Sequence, residues 1–169
     1  MANIPIFSDE QINDFMQAAL DEARQAGSEG EVPIGAVIVH DNQIIARAHN
    51  HREQGQQATA HAELLAIEAA NQVAQSWRLE NTALFVTLEP CMMCAGAIIN
   101  SRIPVIYYGA QDAKGGAVKS LYTLLEDERL NHRVEVHSGI KSDECGQLLQ
   151  NFFSEIRLKH KLVKQLKNK

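Results

Sequence analysis

Residues 82–101 read TALFVTLEPCMMCAGAIINS, an apolar run followed by a proline and two cysteines three positions apart. The run 82–88 is rich in β-branched and aromatic residues and predicts a buried strand. The segment 91–101 predicts a short helix that begins at the cysteines. A strand that leads directly into Cys-x-x-Cys is compatible with a redox dithiol, half of a zinc site or two small core residues, so Cys91 and Cys94 alone leave their role open.

The flanking sequence predicts alternating helices and strands. Ser8 and Gln11 form a capping-box pattern ahead of an amphipathic helix, and Asp41-Asn42 suit a tight hairpin turn. The other predicted elements are strands 32–40, 43–50, 104–109 and 133–139, a helix over 61–73, a polar loop over 110–120, a short helix near 121–127 and a helix from Asp143 onward. This order predicts the α/β class, as a three-layer α/β/α sandwich around a central mixed five-stranded sheet. We expect the first two strands to be antiparallel, the later ones to be joined by helical crossovers, and residues 1–169 to form a single domain.

Composition narrows the class of protein. The 169 residues are 45% apolar, which is enough for an ordinary core. No apolar run approaches the roughly 20 residues of a membrane helix, and the start MANIPIFSDEQ is polar and acidic, so we expect a cytoplasmic protein without a membrane partner. Three cysteines do not make a disulfide scaffold. Cys145 falls on the apolar stripe of the last predicted helix and is expected in the core.

The net charge of -5 hides an asymmetry along the chain. The segment 157–169 carries six Lys and Arg and no acid, whereas residues 1–156 carry ten bases against 21 acids. Such a basic helix end can bind phosphate groups. It can also be a solvated helix end whose cations suit the helix dipole, and charge alone favours that second interpretation.

A second motif, upstream, favours the metal interpretation of the cysteines. His61 and Glu63 are separated by one alanine at the start of another predicted helix. Zinc accepts nitrogen and thiolate sulfur in a tetrahedron, and a catalytic zinc commonly has three protein ligands and a water. His61, Cys91 and Cys94 would form that ligand set. Glu63 would lie beside the metal and carry protons between water and substrate.

Helix geometry limits where this second helix can begin. Residues two apart inside a helix point roughly 200° apart, so His61 and Glu63 could not share a site from the middle of one. We expect the helix to be only beginning at Thr59 or Ala60, with one of the two residues in its irregular entry. Two helix N-termini would then converge on one zinc.

His-x-Glu followed after 26 residues by Pro-Cys-x-x-Cys is the signature of zinc nucleobase deaminases. The chain resembles the family of bacterial tRNA-specific adenosine deaminases from about Asp9 to Phe153. The matching stretches are PIGAVIV (33–39), Asn50, TAHAE (59–63), TLEPCMMCAGA (87–97), SRI (101–103), YGAQDAKGG (108–116), NHRVEV (131–136) and LLQNFF (148–153). The resemblance implies a cytidine deaminase-like fold, one zinc ion per subunit, a homodimer, and a tRNA anticodon stem-loop as substrate.

The implied reaction converts the wobble adenosine to inosine. Zinc-bound hydroxide would attack C6 while Glu63 moves one proton to the ring N1 and another to the leaving amine. Adenine stacked in a helix could not reach a zinc at the bottom of a pocket, so the base must come splayed out of a loop.

Three further positions match family residues that contact the substrate. Asn50 matches a family residue that hydrogen-bonds the purine. An amide suits this role because it offers one donor and one acceptor to the N7/N6 edge of adenine. The alternative is that Asn50 is a hairpin-end residue whose side chain caps its own backbone. Asp112 matches a loop aspartate that meets the sugar hydroxyl of a neighbouring nucleotide, or is an ordinary turn residue. Lys114 is a candidate phosphate contact, as are the C-terminal lysines.

Four other positions also carry expectations. Phe152 and Phe153 are expected to hold the last helix against the sheet. Lys119 stands where the family usually has glycine, and this departure affects the expected conformation of the loop. Gln111 stands where arginine is frequent, and this departure affects one expected RNA contact.

Two other functions share these features. A deaminase of a free base or nucleoside, such as guanine, cytosine or cytidine, would use the same His61, Glu63, Cys91 and Cys94. A protein with a structural zinc or a redox Cys-x-x-Cys would use the cysteines without Glu63.

Overall fold

A computed structural model of the protein describes residues 3–168, and its strands form one five-stranded sheet. The strands are β1 (Gly35–His40), β2 (Gln43–His49), β3 (Thr82–Leu88), β4 (Val105–Ala110) and β5 (Glu135–His137), in the spatial order β2-β1-β3-β4-β5. β1 pairs antiparallel with both β2 and β3, whereas β3–β4 and β4–β5 are parallel. The predicted mixed sheet is therefore confirmed, including its antiparallel start.

Local sequence explains the first turn and the first helix. Asp41 and Asn42 connect β1 to β2 with φ values of 48° and 59°, the left-handed conformation that short hairpin turns require. Helix α1 spans Asp9–Ser28, and its capping box is formed because the side chains of Ser8 and Gln11 each accept the other residue's backbone N–H.

Helices cover both faces of the sheet. Besides α1 they are α2 (Arg52–Gly55), α3 (Ala62–Ala74), α4 (Met92–Asn100) and α5 (Ser142–Lys167). Alternate residues of β1 point to opposite faces: Ile38 packs in the core beneath α3 and α4, and Val37 packs with α1. Cys145 of α5 is buried on the α1 side, as expected. The three-layer α/β/α sandwich is confirmed.

Three details differ from the sequence prediction. The helix expected near 121–127 is a single 3-10 turn, Leu124–Glu126, because Leu121 and Tyr122 are exposed and only Leu125 offers a buried side chain. The crossover from β4 to β5 therefore contains no α-helix. The four-residue α2 was not predicted, since one turn is too short to show a hydrophobic period.

The connection after β3 positions the functional site. Glu89 continues the pairing with β4 through its N–H, which donates to the carbonyl of Ala110, and α4 then begins after Cys91. α3 packs beside α4 on the same face of the sheet, so that the two helix starts meet.

α5 is the longest helix at 26 residues, and most of its side chains beyond Ile156 are exposed. Lys169, the last base of the predicted basic segment, lies outside the described residues. None of the helices between residues 3 and 168 combines the length and the apolar character required to cross a membrane.

Candidate active site

The structure brings His61, Cys91 and Cys94 together. His61 is the N-cap of α3 and Cys91 is the N-cap of α4, both in extended conformation, and the fully buried Cys94 lies in the first turn of α4. The Nδ1 atom of His61 lies 3.6 Å from Sγ of Cys91 and 3.5 Å from Sγ of Cys94. All three ligand atoms lie within 4.8 Å of one another, so the group is able to hold a metal ion.

Cys91 and Cys94 shift the pKa of each other's thiol in opposite directions. A hydrogen bond from Cys94, together with one from His61, lowers the pKa of the Cys91 thiol to about 3. The hydrogen bond with Cys91, together with burial, raises the pKa of Cys94. Two thiolates this close repel each other, and a bound cation removes that repulsion by balancing both charges. The sulfur pair is therefore suited to a metal ion.

Glu63 reaches the same site from the first turn of α3. Because His61 precedes the helix, the two side chains do not have to point in opposite directions as they would in mid-helix. Glu63 is 4% exposed, and this burial raises the pKa of its carboxyl to about 7. A buried carboxyl with a pKa near neutrality can both accept and donate a proton.

A cavity of about 730 Å³ opens above this group, a size typical of small-molecule and nucleotide sites. His61, Glu63 and Cys91 line it. Its rim carries three basic side chains from three separate elements: Arg52 of α2, Lys114 of the loop after β4, and Arg157 of α5. The other lining residues are Val32, Ile34, Asn50, Ala62, Leu88, Glu89, Gln111, Asp112, Ala113, Leu149 and Phe153.

Curated relatives match nearly the whole chain. The sequence profile of the MafB19-like deaminases matches residues 10–157. The chain is 50% identical over 160 residues to a tRNA-specific adenosine deaminase of Streptococcus pyogenes serotype M1, covering 95% of this chain and 94% of that protein. It is also 50% identical over 151 residues to the tRNA-specific adenosine deaminase of Bacillus subtilis (strain 168), covering 89% of this chain and 94% of that one. The chain belongs to the family of tRNA-specific adenosine deaminases.

Solved structures place this tRNA-specific adenosine deaminase family member among deaminase folds. A structure from work on A-to-I editing by tRNA:A34 deaminases at the wobble position of transfer RNA is 46% identical, with a TM-score of 0.78, and covers 80% of this chain and 99% of that chain. The X-ray structure of a guanine deaminase from Bacillus subtilis is 37% identical, with a TM-score of 0.56, over 58% of this chain and 63% of that chain. The predicted cytidine deaminase-like fold is confirmed.

The three predicted substrate contacts all line the cavity of this deaminase family member. The side chain of Asn50, 5% exposed, also makes two long hydrogen bonds of 3.4 Å: its amide donates to the Val32 carbonyl, and its oxygen accepts the Arg52 N–H. Asp112 accepts the N–H groups of Lys114 and Gly115, so it is a turn residue as well as a cavity residue. Lys114 is exposed at the rim.

Sequence reasoning missed Arg52, assigned Phe153 only a packing role, and named Arg157 only as part of the basic segment. Phe153 does not simply hold α5 to the sheet: it is 41% exposed and lines the cavity, with its ring edge against Phe152. Arg157, the first base of the C-terminal segment, lines the cavity as well. Arg52 stands on α2, whose Glu53 and Gln54 N–H groups donate to the fully buried carboxylate of Glu31. One helical turn after a hairpin gives no sequence signal for such a position.

The two departures from the family pattern are accommodated differently. Lys119 is exposed and is not among the residues with positive φ between residues 3 and 168, so its backbone does not require glycine. Gln111 lines the cavity rim and leaves that position without a charge.

Proposed function

We propose that this protein hydrolytically deaminates adenosine to inosine at the wobble position of a tRNA anticodon. One observation carries the proposal: the His61, Cys91 and Cys94 group lies beside Glu63 in a cavity, in a chain 50% identical to tRNA-specific adenosine deaminases over nearly its whole length. The same residues would serve a free-base deaminase, but the identity to the tRNA enzymes is higher and extends further than the identity to guanine deaminase.

We propose zinc as the metal, one ion per subunit. Zinc–nitrogen bonds of about 2.0 Å and zinc–sulfur bonds of about 2.3 Å in a tetrahedron separate nitrogen from sulfur by about 3.5 Å. The Nδ1–Sγ distances of 3.6 and 3.5 Å match this edge length. A mixed imidazole and thiolate set also favours zinc over hard cations such as magnesium. Zinc bound there would supply Lewis acidity that lowers the pKa of a water molecule towards neutrality.

Glu63 is the proposed proton carrier. Its carboxylate accepts a proton from the attacking water and delivers it to N1 of adenine, which makes C6 electrophilic. A bond forms between the water oxygen and C6. Glu63 then takes the proton of the new C6 hydroxyl and passes it to the C6 amine, the bond from C6 to that amine breaks, and ammonia leaves as the C6 carbonyl of inosine forms. Its 4% exposure keeps bulk water from competing for these protons.

The residues around the cavity are proposed to receive an unstacked nucleotide. The amide of Asn50 would exchange its long backbone contacts for the N7/N6 edge of the base. Asp112 would meet a neighbouring sugar hydroxyl, which favours RNA over DNA. The exposed ring of Phe153 offers a surface on which a flanking base can stack.

Charge supports an RNA substrate. The chain carries a net charge of -5, yet Arg52, Lys114 and Arg157 gather at one rim from distant parts of the sequence. A local concentration of cations on an acidic protein suits the phosphates on either side of a flipped nucleotide better than it suits a neutral free base.

The homodimer and the cytoplasmic location are also proposals. Large apolar side chains stand at least half exposed at the start of α4 and just before the 3-10 turn that packs on it: Met92, Leu121 and Tyr122. An interface between two copies would bury such side chains. A tRNA substrate implies the cytoplasm.

The test uses the zinc-loaded protein with an anticodon stem-loop that has adenosine at the wobble position. A stem-loop with the adenosine moved one position along the loop is the matched control, and free adenosine, guanine and cytidine are the competing substrates. Mass spectrometry should show inosine only in the first RNA. Turnover of the free compounds alone would overturn the substrate assignment. Fewer than about half an equivalent of zinc in freshly purified protein would overturn the proposed metal centre.

A further inference from the structure

The carboxylate of Glu89 is buried and bound entirely by one loop. Glu89 is 2% exposed at the end of β3, two residues before Cys91. Its Oε1 accepts the N–H groups of Val118 (3.2 Å), Lys119 (2.7 Å) and Ser120 (2.8 Å). Its Oε2 accepts the N–H of Asp112 (3.0 Å) and the hydroxyl of Ser120 (2.5 Å).

Three successive amides that point inward at one oxygen form an anion-binding concavity in the backbone. Here a side chain of the protein occupies that concavity. Hydrogen bonds to a charged acceptor are stronger than neutral ones, and five of them lie on one buried carboxylate. Both oxygens are fully engaged, so Glu89 has no lone pair to offer a substrate although it borders the cavity.

The loop backbone is pressed against this carboxylate. A Cβ atom on Gly116 would lie 2.3 Å from Cδ of Glu89, so no other residue fits there without moving the loop. Two backbone hydrogen bonds also hold this part of the loop: the Gly116 N–H donates to the Asp112 carbonyl, and the Ala117 N–H donates to the Pro90 carbonyl. The conformation of segment 111–120 is therefore built around Glu89.

This segment carries the two predicted substrate contacts at the rim, Asp112 and Lys114. The N–H of Asp112 is itself bound to Glu89, and the Asp112 side chain in turn accepts the N–H of Lys114. We propose that Glu89 is a positioning residue that organises the loop 111–120 and thereby sets the affinity of the site for RNA. The inference rests on the proposed function.

The role predicts a specific kinetic result. Glu89 touches neither the substrate nor a proton path, so its loss should weaken RNA binding and leave the chemical step nearly intact. Glu89→Gln keeps the volume of the side chain but places an NH2 group against the donors that face the carboxylate. For the stem-loop substrate we expect KM to rise about tenfold, while kcat changes by less than about threefold.

A second variant reaches the same contact from the loop. Gly116→Ala inserts a Cβ 2.3 Å from Cδ of Glu89 and 2.6 Å from the Asp112 carbonyl oxygen, and it should raise KM similarly. The effect of the double variant should be smaller than the sum of the two single effects, since both disturb the contact between Glu89 and the loop. Gly146→Ala is the matched control, because a Cβ there meets nothing within 4 Å.

Hydrogen exchange gives a readout that needs no substrate. In Glu89→Gln the amides of Asp112, Val118, Lys119 and Ser120 should exchange at least about tenfold faster, with zinc content and the exchange of α3 unchanged. Unchanged loop exchange, or an unchanged KM in an active enzyme, would overturn the role of Glu89. A wild-type protein that does not deaminate the stem-loop would overturn the proposed function instead, while exchange still reports on the loop.

Discussion

The Nδ1 atom of His61 lies 3.6 Å from the Sγ atom of Cys91, although 30 positions separate the two residues in the sequence. Each residue caps a different helix, and the two helix starts meet at the carboxyl end of β3. The ligand group is therefore produced by the packing of α3 and α4 on the sheet, and a metal bound there would fasten the two helices together.

Loss of a sulfur ligand should remove the metal. We expect Cys94→Ala to purify with less than about a tenth of the wild-type zinc, to be inactive, and to unfold at a lower temperature, because metal that binds only the native state stabilises it. Zinc analysis and thermal unfolding measure both effects. Cys145→Ala is the control, since Cys145 is also buried but lies on the opposite face of the sheet. Full zinc content in Cys94→Ala would rule out the proposed ligand set.

Removal of the Glu63 carboxyl should stop turnover without unfolding the protein. In Glu63→Ala we expect kcat to fall by about 10³-fold or more, because the side chain serves two proton transfers, while zinc content stays at the wild-type level. Glu68→Ala on the exposed face of the same helix controls for changes in α3 itself. Wild-type turnover in Glu63→Ala would place the proton path elsewhere.

The start of the basic segment should contact RNA more than its end. Arg157 lines the cavity, whereas Lys167 lies ten residues further along an exposed helix, about 15 Å away. Arg157→Gln should weaken stem-loop binding and reduce the slope of log K against log salt by about 0.7, the value for one phosphate contact to a single strand. Lys167→Gln should change the slope by much less. Equal slopes for wild type and Arg157→Gln would show that the segment is only a solvated helix end.

A histidine held between two carboxylates, the His49 clamp, should make stability depend on pH. His49 lies between two carboxylates of the α1 region, with Nδ1 2.8 Å from Glu22 and Nε2 3.0 Å from Glu29. Burial alone would lower the pKa of His49, but the hydrogen bonds to Glu22 and Glu29 outweigh it, so the pKa lies above 6.5. A raised pKa stabilises the fold fully below pH 6.5, and this contribution is lost as the pH rises through the raised value.

We therefore expect the stability advantage of wild type over His49→Gln to be larger at pH 6 than at pH 8.5, in thermal unfolding of the zinc-loaded proteins. Comparing the two proteins at each pH cancels the pH dependence of metal binding. His40→Gln is the control because His40 is 42% exposed beside an Asp41 side chain that is 88% exposed. A constant difference across the two pH values would contradict the clamp.

Sequence periodicity predicted most of the fold because strong local signals agreed with the tertiary structure. The run 82–88, the Asp41-Asn42 turn and the Ser8–Gln11 capping box each specify their element locally. The start of α3 could also be deduced, since His61 and Glu63 can face one site only if the helix begins between them or just before; it begins at Ala62, slightly later than expected.

The rest of the cavity depends on long-range geometry that no local pattern encodes. Phe153 and Arg157 look like packing and tail residues until α5 is seen to pass over the cavity. Glu89 reads as an ordinary carboxylate at a strand end, and its five donors lie 23 to 31 positions away in the sequence. Such long-range hydrogen bonds can be identified only from the three-dimensional path of the loop backbone.

Glu89 binds the loop almost entirely through N–H groups of the loop backbone. The side chains of Ala113, Lys114 and Lys119 take no part in these hydrogen bonds and are therefore free to vary. A protein engineer could therefore exchange those three side chains to redirect which nucleic acids are edited, with the His61, Cys91 and Cys94 group left in place. Gly116 and Glu89 would have to stay fixed in any such library.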